Sequence, residues 1–237
     1  MKTRVATATI LILLSIVSSF LEETVFNTVS FLLAFIALWE TMDKIDKGWV
    51  RGGKFRTLTV VAALLFFLYA SFALAFALPL LRWHNPVVVN IWILVLPPIG
   101  RWLIISIVST VVYDTAAFLI GQRFGKRRFE NSSFVFLRVS PKKSWEGSLG
   151  ALLISVPVVV FLSGNLLSLG LAFSVLLGIA LGMAAFFGDL IESGLKRLLG
   201  TKDMGNLLPG HGGLLDRLDS HMMSMVVTIT ILLIIRE

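Results

Sequence analysis

Ser193-Gly194-Leu195-Lys196-Arg197, followed by Lys202-Asp203, Pro209-Gly210-His211-Gly212-Gly213, Asp216-Arg217 and Asp219, is a charge-dense island between two long apolar runs. Three acids, four bases and a histidine lie within this stretch, and Asp189 adds another acid at the end of the preceding apolar run. A chain that crosses a bilayer keeps ionisable groups beside its spans only where they have work to do. Pro209 and the Gly210-His211-Gly212-Gly213 cluster predict an irregular loop rather than a continuous amphipathic helix. Acids, bases and glycines together describe a phosphate site that depends on a cation.

Outward from this island the chain is hydrocarbon-loving. It is 57% hydrophobic and only 15% charged, against about half and about a quarter for soluble domains. The class is therefore an all-α, polytopic integral membrane protein, with its polar active site at the cytoplasmic side. The net charge of +7 belongs to loops, where it sets topology and attracts anionic headgroups; it does not indicate nucleic acid. No cysteine is present, so disulfide and thiol chemistry are excluded. The Met1-Lys2-Thr3-Arg4 start leads into an apolar run without a small-residue cleavage pattern, which predicts a retained first span rather than a signal peptide.

A spanning helix needs about 20 apolar residues. Such runs cover 4–20, 24–41, 57–81, a divided region 87–121, then 145–163, 167–189 and 217–235. Lys44 to Arg56, Arg123 to Lys143, and Lys196 to Arg217 are base-rich, whereas the turns near Glu22-Glu23 and Gly164-Asn165 carry no base. The positive-inside rule places the three basic loops in the cytoplasm. Arg82 and His84 dissent weakly. Consistency then needs three crossings between residues 56 and 122, one of them a short span over 87–100, with Pro97-Pro98 and Arg101 as interruptions. The expectation is seven to nine spans in one membrane domain, 1–237. Residues 1–81 hold the N-terminal spans and 87–237 the catalytic portion, with the signature at 193–219. No polar loop is large enough to fold as a separate domain.

Three elements carry chemistry. Asp114, in Tyr113-Asp114-Thr115-Ala116-Ala117-Phe118, is an acid within an apolar run, where it costs about 3 kcal/mol on insertion scales. The bland alternative is a polar helix-pairing residue, and the adjoining Thr115-Ala116-Ala117 does supply a small packing face. Ser140-Pro141-Lys142-Lys143-Ser144-Trp145-Glu146-Gly147 reads as a helix start, whose free N–H groups and two lysines suit an anion; a basic interfacial anchor is the plain alternative. In the island, Asp189, Asp216 and Asp219 suit a hard divalent cation such as Mg²⁺. Asp216 and Asp219 are three residues apart and so share a helical face. Lys196 and Arg197 offer charge to phosphate oxygens. The glycines Gly210, Gly212 and Gly213 allow close backbone approach to a nucleotide, and His211 is a donor or proton carrier. Zinc is disfavoured by the absence of cysteine and of paired histidines, and neither a P-loop nor a nucleophile elbow is present.

These blocks resemble the phosphatidate cytidylyltransferase (CDP-diacylglycerol synthase) family. The island looks like that family's full signature; Asp114 to Phe118 with Gly121 and Phe124-Gly125, and Ser140 to Gly147, look like its other blocks. Phe118 stands where tyrosine is common, Asn131-Ser132-Ser133 looks like an insertion, and the likeness covers roughly the C-terminal half. The resemblance implies CTP and phosphatidic acid as substrates, Mg²⁺ with a possible second cation, divalent or monovalent, and an inner-membrane location. A homodimer is compatible with it. It implies metal binding by Asp189, Asp216 and Asp219, with Asp219, Lys142, Lys143 and His211 in catalysis. Ser193, Lys196, Arg197, Gly210, Gly212, Gly213, Arg217, Asp114, Lys202 and Asp203 would contact substrate or the groups that hold it. A CTP-dependent lipid kinase and a cation transporter are the rival readings. A transporter would place its acids nearer the membrane midplane.

Overall fold

The computed structural model describes Trp39, residues 89–91 and 94–96, residues 98–198, and 200, 201, 203, 213 and 215–235. The expected spans at 4–20, 24–41 and 57–81 lie outside the described residues. Four helices carry the described fold: α1 (Pro98–Phe124), α2 (Trp145–Leu167), α3 (Leu171–Leu198) and α4 (Leu215–Ile235). Three of them are long and apolar enough to cross a membrane, over Arg101–Phe124, Trp145–Leu167 and Leu171–Leu198. The apolar part of α4 is the shorter stretch Ser220–Leu232. The chain is a membrane protein built from helices.

The short span expected over 87–100 is not one helix. Strands β1 (Val89–Ile91) and β2 (Leu94–Leu96) pair antiparallel there, with Asn90 opposite Val95. Val, Ile and Leu crowd this run, and β-branched residues favour extended backbone. Pro97 holds the residue before it out of the helical region, and Pro98 then opens α1, where a missing N–H costs nothing. The expected short crossing over 87–100 is therefore not among the described helices. Arg101 does not interrupt: it is buried in the first turn of α1, and its Nη1 donates to the Leu166 carbonyl at the end of α2, 3.2 Å away.

The turn expected at Gly164-Asn165 falls a few residues later. Both residues are still helical, and Ser168, in the left-handed region at φ 54°, ends α2. Pro157 sits inside α2, as membrane helices allow. Helix α3 begins at Leu171 and runs through Leu198, so Ser193, Lys196 and Arg197 are helical rather than part of the irregular loop expected around Pro209. No proline or paired glycine intervenes before Leu198, and the helix therefore continues past the apolar run.

Helices α1 and α2 pack closely because small residues meet. A Cβ built on Gly147 would lie 2.8 Å from the Ala117 carbonyl oxygen and 3.0 Å from Gly121 Cα. Ala116 and Ala117 thus serve packing, with Ala116 buried, while Thr115 is exposed. Farther along, Gly178 of α3 meets the Val156 backbone of α2. Tyr113, Phe129, Leu137, Ala185, Phe186 and Leu190 form an apolar core under the charged end of the bundle. Trp102, Ile105, Val159, Leu177 and Leu181 form another toward the opposite end.

Candidate active site at the charged end of the bundle

Helix α2 starts as the sequence predicts. Ser144 is its N-cap, accepting from the Gly147 N–H at 3.2 Å. The loop ahead of it is tied down: the Phe129 N–H donates to the Lys143 carbonyl at 2.9 Å, and the Trp145 N–H to the Arg127 carbonyl at 3.1 Å. The Glu146 carboxylate accepts the Arg127 N–H at 3.1 Å through both oxygens. Ser144, Trp145 and Glu146 therefore lock a clamp, and the residue that the clamp aims is Lys143.

Lys143 Nζ meets Asp189 Oδ2 at 2.6 Å and stands 5.5 Å from the centroid of the Phe186 ring. Ser193, one turn on, donates from Oγ to Asp189 Oδ1 at 3.1 Å. Another turn along α3, the Lys196 ammonium is shared by two carboxylates. One is Glu192 on the same helix; the other is Asp216 at the start of α4, with Oδ1 at 3.0 Å. The Gly213 N–H donates to Asp216 Oδ2 at 2.7 Å. Burial works against ionisation of Asp216, but hydrogen bonds with Glu192, the Gly213 N–H and Lys196 prevail and hold its carboxyl below the usual range. Asp114 on α1 lies within electrostatic reach of Asp189 and Lys143 and is hydrogen-bonded by Ser220 of α4.

Of the residues singled out in the sequence, Asp114, Lys143, Asp189, Ser193, Lys196, Gly213 and Asp216 thus gather at one end, from α1, the α1–α2 loop, α3 and the entry to α4. Lys142 does not turn in with Lys143. It is exposed, and its carbonyl accepts from Arg128 Nη1 at 3.1 Å. Arg197 is exposed and donates from Nε to the Val139 carbonyl at 3.4 Å, and Asp203 is exposed. Lys202, Gly210, His211 and Gly212 lie outside the described residues, as do the side chains of Arg217 and Asp219. The backbone at 216 and 219 is helical, as their spacing predicts.

Glu192 escaped the sequence reading. It is completely buried, where an unpaired carboxylate would be very costly. The signal lay in the i, i+4 spacing to Lys196, hidden because the helix was expected to end at Asp189.

Among the described residues no three acidic or histidine side chains form a ready metal cage. The donor chemistry nevertheless fits a hard cation. Four carboxyl groups (Asp114, Asp189, Glu192 and Asp216) face two ammonium groups (Lys143 and Lys196), and oxygen donors with a surplus of negative charge suit Mg²⁺.

Residues 48–235 match the model of the cytidylyltransferase family; the chain belongs to that family. A phosphatidate cytidylyltransferase of Mycobacterium bovis is 38% identical over 134 residues, 56% of this chain and 42% of the relative. One of Helicobacter pylori is 40% identical over 119 residues, 50% of this chain and 41% of the relative. An uncharacterized protein of Escherichia coli, YnbB, is 38% identical over 135 residues, 54% and 43%. The chain thus spans about two fifths of the length of these relatives.

Proposed function

We propose that this protein is a phosphatidate cytidylyltransferase. It joins the phosphate of phosphatidic acid to the α-phosphate of CTP and releases pyrophosphate. The observation that supports this most strongly is the convergence of acids and lysines from four separate segments at one end of an otherwise apolar bundle, in a chain of the cytidylyltransferase family.

The chemistry asks little of a nucleophile. A phosphate monoester is mostly dianionic near neutral pH, its second pKa being about 6. An oxygen of the lipid phosphate forms a bond to the α-phosphorus of CTP, and the bond from that phosphorus to the bridging oxygen of the β-phosphate breaks. The electron pair leaves with pyrophosphate. The barrier is mutual repulsion of two anions and the charge on the leaving group, so positioning and electrostatics dominate.

Asp189, Asp216 and Asp219 are the residues that would hold Mg²⁺, alone or with a second cation. Bound there, it supplies charge neutralisation to the nucleotide phosphates. Lys143, fixed by the loop clamp and by Asp189, faces the lipid phosphate or the pyrophosphate. Lys196 holds Asp216 in place and adds positive charge beside it. Ser193 orients Asp189. Asp114 supports the cation from α1 or ligates it in turn, Lys142, Arg197, Lys202 and Arg217 extend the anion-binding rim, and Asp203 orients Lys202 or a basic neighbour. Gly210 to Gly213 and His211 lie along the nucleotide. The active site faces the cytoplasm in this reading, and the lipid enters from the inner leaflet.

Purified protein supplied with labelled CTP and phosphatidate should form a CDP-lipid and pyrophosphate, and should do so only with Mg²⁺. Release of CDP with a newly phosphorylated lipid would instead make it a kinase.

A further inference from the structure

The α1–α2 loop carries a feature that the site does not use. Val135 and Phe136 open a 3₁₀ turn (Val135–Val139) that Phe134 precedes, and Phe134, Val135 and Phe136 are exposed by 57%, 73% and 55%. The two rings lie 5.8 Å apart, so they present one apolar face. The turn is not loose. Its underside is pinned by fully buried Phe129 and Leu137 in the core, and Phe129 packs edge-on to Trp145 and Phe186. Arg138 Nε donates to the Ser132 carbonyl at 2.8 Å, and the Phe134 N–H to Ser132 Oγ at 3.2 Å. The aromatic tip is therefore held outward by a built scaffold.

The surroundings say what it meets. The loop joins two helices long and apolar enough to cross a membrane, and its tip lies ten residues from the end of α1 at Phe124 and nine from the start of α2 at Trp145. Phe124 is itself exposed by 59%, with the Arg123 guanidinium 5.9 Å from its ring centroid, continuing the apolar surface from span to loop. Between residues 123 and 143 there are seven bases, Arg123, Lys126, Arg127, Arg128, Arg138, Lys142 and Lys143, against the single acid Glu130. Lys126, Arg127 and Lys142 are exposed. An apolar tip on a base-rich loop beside the end of an apolar helix matches an anionic lipid surface: aromatic groups enter the headgroup boundary and bases pair with lipid phosphates.

We propose that the Phe134-Val135-Phe136 tip inserts into the headgroup layer of the membrane and that the surrounding bases select anionic lipid there. The insertion stands on the loop alone and does not depend on the reaction assigned to the site. Its consequence for the site is positional. The same loop ends at Lys143, whose carbonyl accepts the Phe129 N–H, so seating the tip sets the height of that lysine relative to the lipid phosphates.

The chain has no cysteine, which allows direct probing. Val135→Cys and, as a comparison, Asp203→Cys are each labelled with an environment-sensitive fluorophore and placed in lipid nanodiscs. The discs hold phosphatidylcholine alone or mixed with phosphatidylglycerol, and a nitroxide is attached near the headgroup end of some acyl chains. Insertion predicts blue-shifted emission at 135, with nitroxide quenching several-fold greater than at 203 and protection from iodide. Adding phosphatidylglycerol should increase the quenching at 135, and Lys126→Gln with Arg127→Gln should remove most of that increase. Equal quenching with and without phosphatidylglycerol overturns the lipid selection. Iodide access at 135 as free as at 203 overturns the insertion. Iodide protection without nitroxide quenching also overturns it, because the tip would then be covered by protein. The three loop substitutions, at Lys126, Arg127 and Val135, change exposed side chains and leave the buried side of the loop intact.

Discussion

Lys196 shows why the polar end must be argued one side chain at a time. Its ammonium serves Glu192, which has no exposure, and Asp216 together. Removing one partner from a buried charge network costs about 3–5 kcal/mol, because the stranded charge remains. Lys196→Met should therefore destabilise the detergent-solubilised protein by about that amount, read as a lowered thermal midpoint, and Lys196→Arg should recover part of it. Asp216→Asn is a different experiment. The amide oxygen can still accept from the Gly213 N–H, so the fold should persist, whereas the loss of charge at the proposed cation site should cut turnover about a hundredfold or more. A normal thermal midpoint with undiminished CDP-lipid formation would remove Asp216 from the machinery.

The elements decide where these residues can stand. Helix α3 keeps its periodicity beyond the apolar run, so Asp189, Ser193 and Lys196 rise along one face at spacings of four and three. Helix α2 is started by Ser144, and the same segment makes the clamp that presents Lys143. Ser144→Ala should cost about 1 kcal/mol through the lost cap. A larger fractional fall in activity than in folded fraction would show that the clamp positions Lys143. The Gly147 contact is less forgiving. Its Cβ would press on Ala117 and Gly121 backbone, so Gly147→Ala should force α1 and α2 apart at about 1–3 kcal/mol, a shift measurable by thermal denaturation. Gly164→Ala, where a Cβ meets nothing within 4 Å, is the matched control.

At the scale of the bundle, the charged groups buried or paired among the described residues divide between two ends. Asp114, Lys143, Asp189, Lys196 and Asp216 share one end, while Arg101 and the Ser168 turn mark the other. If α1, α2 and α3 each cross the bilayer, single cysteines at Lys126 and at Leu169 lie on opposite faces. A membrane-impermeant thiol reagent applied to intact cells should label the position at 169, and the one at 126 only after the cells are opened. Labelling of both from outside would undo the cytoplasmic placement of the site.

Hydrophobicity and charge placement are one-dimensional properties, so much was legible along the chain. The membrane class, three of the helices, the Ser144 start and the closeness of Lys196 to the acids around it could be read from runs and spacings. Pairing is not one-dimensional. That Lys143 rather than Lys142 turns to Asp189, and that Glu192 joins Asp216 through one lysine, were decided by packing. A buried charge takes whichever partner the neighbouring helix brings within reach, and residues twenty or more positions apart have no register until the helices meet.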